Sequence, residues 1–120
     1  MIGNYVTKKQ IVDLTQEYDL LFQLGVNACY SGFFHAAHAI RLAREDPCRM
    51  ILVTKWLYPE VAKAYGTNWR AIERNIRLTI RAVWSANPEL LCDMAMHRLY
   101  SRPTPTEFIS ICAAHLARNT

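Results

Sequence analysis

Four arginines, Arg70, Arg74, Arg77 and Arg81, stand four, three and four residues apart in the stretch 66–84. A guanidinium is permanently charged and presents a planar fork of donors that matches phosphate oxygens and the O6 and N7 edge of guanine. At about 100° per residue, the four fall within an arc of roughly 60° on a helix. Trp69, Ile72, Ile76, Ile80 and Val83 cluster roughly 120° away from them. The spacing predicts one helix with a basic edge for an anionic partner and an apolar edge for burial. The formal charge is only +4 over 120 residues. The pointer to nucleic acid is therefore the concentration of positive charge in one helix-length segment, not its total.

Other groups offer weaker chemistry. His35 and His38, three apart, can share a helical face and with Cys29 or Cys48 would make a metal site. Neither cysteine stands in a fixed geometric relation to them, so no metal and no other cofactor is expected. Cys112 and His115 have no orienting acid nearby in sequence and read as a buried thiol beside a surface imidazole, not as a nucleophilic pair. Asp13, Glu17, Glu45 and Asp46 are scattered and read as solvated. The four glycines form no cluster, which excludes a glycine-rich phosphate loop. No catalytic residue is assigned, and a small helical metal-dependent enzyme is the remote alternative. Cys29, Cys48, Cys92 and Cys112 contain no CxxC pair. They are expected to be reduced and largely buried as small apolar groups.

The elements that must position the arginines are read from punctuation. Thr7 with Gln10 resembles a capping box, followed by Ile11, Leu14, Tyr18 and Leu21 until Gly25 stops the helix. The six or so residues ahead of it are expected to be frayed. A second helix starts near Ser31, carries Phe33, Phe34, Ala37 and Ile40, and breaks at Asp46-Pro47. A third spans about 48–57, with "MILV" at 50–53 as buried helix. Pro59 sits in the first turn of the next, which ends at Gly66. The arginine helix runs from about Asn68 to Ser85. A short one follows from Pro88 to about Met96. The last begins with Thr104 as cap, Pro105 first and Glu107 third. No alternating β-branched run interrupts this. The expected fold is all-α, a single bundle of about six or seven helices. Residues 1–10 lack the apolar core of a signal peptide, and no run approaches the roughly 20 apolar residues of a membrane span. A soluble cytoplasmic protein without membrane contact is expected.

Ala62, Gly66 and Ile72 stand in an Ala–x3–Gly–x5–Ile frame, with Ile76 one turn further. This is the packing frame of a helix-turn-helix over about 58–85: a small residue at the helix crossing, a glycine for the tight turn and an apolar anchor in the second helix. The second helix of such a unit presents its early residues to the major groove. Base readout is therefore assigned to Asn68, Arg70, Glu73 and Arg74, since glutamate accepts from cytosine N4 as arginine donates to guanine. Arg77, Arg81 and Lys63 are assigned to the DNA backbone. The nearest rival reading uses the same unit to bind a protein of the transcription machinery; the arginine edge argues for duplex DNA.

The segment "LYPEVAKAYGTNWRAIERNIRLTIRAVW" also resembles the DNA-binding C-terminal effector domain of the stage-zero sporulation master regulator of endospore-forming bacteria. The residues that carry this are Thr54, Lys55, Leu57, Tyr58, Pro59, Glu60, Val61, Ala62 and Lys63, then Ile72, Glu73, Arg74, Ile76, Arg77, Ile80 and Trp84. "LGV" at 24–26, Gly32, "AI" at 39–40 and "PTPTEFI" at 103–109 extend it over roughly 15–118. The resemblance implies a compact helical domain reading a short GC-containing box, with Glu73 and Arg74 as base readers. It further implies dimers on tandem sites and a contact with the sigma subunit of RNA polymerase. Two positions depart from the family pattern: an arginine frequent at position 71 is at 70 here, and Leu78 replaces a basic residue or histidine. The family's phosphoacceptor receiver domain is not in these 120 residues. An excised effector domain or a short protein without that control is expected.

Overall fold

A computed structural model describes residues 13–29 and 31–119. The predicted cap at Thr7 and Gln10, the apolar Ile11 and the residues expected to fray lie outside them. Among the described residues seven α-helices follow one another: α1 (Thr15–Gln23), α2 (Ser31–Glu45), α3 (Val53–Trp56), α4 (Tyr58–Tyr65), α5 (Trp69–Ala86), α6 (Pro88–Ala95) and α7 (Pro105–Arg118), with a 3-10 turn at Pro47–Ile51. There is no strand among the described residues, as the all-α reading expects.

The starts and stops have local causes. Asn68, Asn87 and Thr104 cap α5, α6 and α7 by accepting from the N–H three residues on. At Thr104 the Glu107 carboxylate returns the bond to the threonine N–H at 2.8 Å, completing the capping box. At the end of α1, Gly25 N–H bonds to Phe22 and Val26 N–H to Leu21, both closing orphan carbonyls of the last turn.

The core is built around α2, which packs on α1, α4, α5 and α7. It is buried nearly all round, with Phe33, Ala36, Ala37, Ala39, Ile40 and Ala43 inside. Alanine faces let neighbouring helices approach closely. A close approach falls at Gly32, where an added Cβ would lie 2.5 Å from the Asn75 carbonyl oxygen and 2.5 Å from Thr79 Oγ1 of α5.

Three expectations are corrected. The single third helix divides into a 3-10 turn and the four-residue α3, because the backbone leaves the helix at Leu52 (φ −147°). The side chains on either side of that break share no face, so "MILV" is not buried as a run: Ile51 is 81% and Leu52 48% exposed, while Met50 and Val53 are partly buried against the core. Glu17 is not solvated but fully buried. It lies three residues after Leu14 on the face α1 buries, and there it accepts from Arg41 Nε at 3.1 Å and Arg44 Nη1 at 2.5 Å, tying α1 to α2. Of the cysteines, Cys112 is buried and Cys92 partly so, but Cys29 and Cys48 are exposed, because they fall in a loop and in the 3-10 turn and not on a helix face.

Candidate nucleic-acid interface

The apolar edge of α5 is inside as its spacing requires: Ile72, Ile76, Ile80 and Val83 are buried, and Trp69 is partly so. Burying four such side chains is worth about 1.5–3 kcal/mol each. That load fixes the rotation of α5, and the rotation turns Arg70, Arg74, Arg77 and Arg81 outward, all four exposed.

The turn before α5 is set by Gly66, at φ 65° and ψ 38°. A Cβ there would meet nothing within 4 Å, so glycine is required by conformation and not by space. The N–H groups of Gly66 and Thr67 both return to the Ala62 carbonyl. Ala62 itself is buried, as are Tyr58 and Val61 on the same helix, and α4 packs along α5. The structure places Ala62 inside, Gly66 in the turn, and Ile72 and Ile76 in the core.

The candidate contact residues are not equivalent. Asn68 caps α5 with its side-chain oxygen, 2.9 Å from the Ala71 N–H, which leaves only its amide NH2 for anything outside. The Arg70 guanidinium lies over the Trp69 ring, 5.0 Å from its centroid, a stacking that holds the fork at the N-terminal end of the helix. Glu73 is half-buried and bonded to Arg77, Nη2 donating to Oε2 at 2.8 Å. Arg74 points outward with no ion pair among the described residues. Lys63 is exposed on α4, before the turn.

Two neighbours of this edge were assigned no role from the sequence. Tyr58 is buried next to the Glu73–Arg77 pair; burial first, then the Glu73 carboxylate, push its hydroxyl up to about 12, with Arg77 opposing. The phenol therefore stays neutral beneath the charged pair. The second is Arg102, in the loop ahead of α7. With Pro103 and Pro105 it meets Arg77, Ile80 and Arg81 around a cleft of about 90 Å³. Its only sequence signal was a lone arginine before a proline, and nothing local says that this loop folds against α5.

Among the described residues, no group of three or more His, Cys, Asp or Glu stands together as a metal site would require. His35 and His38 instead flank the Tyr65 ring, with centroids 4.9 Å and 5.4 Å away. No described helix is long and apolar enough to cross a membrane.

Fold and site together define a class: an all-α domain in which α4, a tight turn and α5 follow one another and α5 carries an exposed arginine edge. Within it, the chain belongs to the family described as sporulation initiation factor Spo0A C terminal, which it matches over residues 17–116. DNA binding in transcription regulation, as the effector part of a sporulation response regulator, is accordingly the role of this domain.

Proposed function

We propose that the domain reads duplex DNA by placing the N-terminal half of α5 in the major groove. Glu73 and Arg74 meet base edges there, with Arg70 and the free amide of Asn68 beside them. Arg77, Arg81 and Lys63 bind backbone phosphates. One observation carries the reading: the four arginines are exposed along one edge of a helix whose apolar edge is buried at Ile72, Ile76, Ile80 and Val83, directly after the tight turn at Gly66. A charged edge fixed by a packed core meets its partner without first being ordered, and a fork of donors suits guanine as a point charge does not.

The preferred site in this reading is a short box containing G·C pairs, guanine facing Arg74 and cytosine facing Glu73. Pairing of two domains on tandem boxes, contact with a sigma subunit and a cytoplasmic location belong to the same proposal. Selection from a pool of random duplexes, followed by sequencing of the bound fraction, tests it. A G·C-containing box should be enriched and should repeat at fixed spacing. A bound pool indistinguishable from the input would overturn base reading by α5.

A further inference from the structure

We infer that the cleft between α5 and the loop ahead of α7 is the seat of one phosphate of the DNA backbone, with Arg102 as its third cationic ligand. This rests on the proposed reading of duplex DNA and extends the interface beyond the helix-turn-helix.

The cleft is lined by Arg77, Ile80 and Arg81 from α5 and by Arg102, Pro103 and Pro105. Three of the six lining residues are arginines and none is acidic. At about 90 Å³ it has room for roughly three waters of about 30 Å³ each, the scale of a phosphate group and well short of a nucleoside. Among the described residues, Arg81 and Arg102 have no ion pair. Glu73 is bonded to Arg77 and so offsets one of the three charges, and Glu107 is engaged in the capping box of α7, which leaves Arg81 and Arg102 uncompensated. Like charges gathered around a small space repel one another until an anion enters.

The loop is built to hold Arg102 still. Pro103 and Pro105 are buried, and a residue before proline is confined to extended backbone. Arg102 is thus presented from a pinned segment, at a smaller entropic cost than a free loop would carry. Pro105 is also the first residue of the 14-residue α7, whose N-terminal dipole end adds positive potential at the cleft. Arg77 and Arg81 continue the edge that begins at Arg70 and Arg74. With the N-terminal half of α5 in the groove, the cleft therefore falls along the sugar-phosphate rim.

The test is binding of the whole chain to a box-containing duplex and to a random duplex, over a range of salt. Arg102→Ala is expected to weaken both about 5- to 10-fold. The slope of log K against log salt should become shallower by about one, and Arg102→Lys should restore most of it. Neutralising backbone phosphates one at a time with methylphosphonate gives a readout independent of folding. At one position the substitution should weaken the wild type clearly more than Arg102→Ala, while at the other positions the two should lose affinity alike. A wild type that binds while Arg102→Ala keeps its affinity and slope overturns the seat and leaves the proposed function standing. A wild type that binds no duplex overturns both. Inorganic phosphate separates the sources. Saturable millimolar shifts of the Arg77, Arg81 and Arg102 side-chain NMR signals, with no methylphosphonate position sensed, would assign the cleft to a free anion and overturn the backbone seat.

Discussion

Arg77 donates to Glu73 across one turn of α5, at 2.8 Å, so the proposed cytosine reader and a proposed phosphate ligand hold each other before DNA arrives. An exposed pair at this spacing contributes only about 0.3–0.5 kcal/mol to the fold. Its larger effect is to hold the carboxylate at one place on the helix and to keep a negative charge near an anionic partner. Glu73→Gln is therefore expected to leave melting nearly unchanged and to raise affinity for random duplexes several-fold. Preference for cytosine at the matching position should fall by about 1–3 kcal/mol. Binding of the variant to the selected box and to its single-base variants checks this. Retained cytosine preference would remove Glu73 from base readout.

Arg74 has no ion pair within the described fold, so removing it disturbs nothing but the partner. Arg74→Ala should cost about 1–3 kcal/mol on the preferred box and little on random duplexes. Arg81→Ala, from the cleft end of the same edge, should weaken both equally and flatten the salt slope by about one. Side-by-side titrations at several salt concentrations distinguish the two behaviours. Equal losses for Arg74→Ala on both duplexes would mark it as a phosphate contact.

What the sequence disclosed and what it withheld divide along one line. The two edges of α5, the Gly66 turn and the capping box at Thr104 are local, fixed by spacing within one or two turns. They were readable because a helix repeats every 3.6 residues. Glu17 escaped because its burial depends on which element carries Arg41 and Arg44 opposite it. Its place three after Leu14, and the three-residue spacing of those arginines, were the only hints. Arg102 escaped for the same reason, its role resting on a loop folded against α5. The exposed Ile51 and Leu52 show the converse: an apolar run predicts burial only where the backbone keeps the run on one face.

The two histidines packed around Tyr65 are expected to make the fold sensitive to acid. Asn75 of α5 donates to His35 Nδ1 at 3.2 Å, and His38 Nδ1 lies 3.2 Å from the Tyr65 hydroxyl. Burial, and then His38, hold the His35 imidazole below its ordinary 6.5. Burial does the same at His38, with Glu45 opposing. The unfolded chain therefore takes up protons near pH 6.5 while the folded chain resists them. Stability should be level above that pH and should fall as the pH drops through it, until the folded values are passed. Melting temperatures from pH 7.5 to 5 measure this, and His35→Gln should reduce the slope. A wild-type melting temperature that rises over the same fall in pH would contradict the assignment.

Gly32 offers the sharpest test of whether the seating of α5 makes the function. A methyl group at this position would lie 2.5 Å from both the Asn75 carbonyl oxygen and Thr79 Oγ1. The first is backbone in the middle of α5. The second is held by its own bond to that same carbonyl, at 3.0 Å. Neither can swing aside as the end of a long side chain would, so α5 must move away from α2. Gly32→Ala should cost about 1–3 kcal/mol through overpacking, despite the better helix propensity of alanine. Because the arginines ride on the displaced helix, affinity for the preferred box should fall more than for random duplexes, whose contacts tolerate a shift. Thermal melting together with binding to both duplexes, in protein that remains folded, makes the measurement. A variant that melts at or above the wild-type temperature and reads its box unchanged would show that α2 does not set the position of α5.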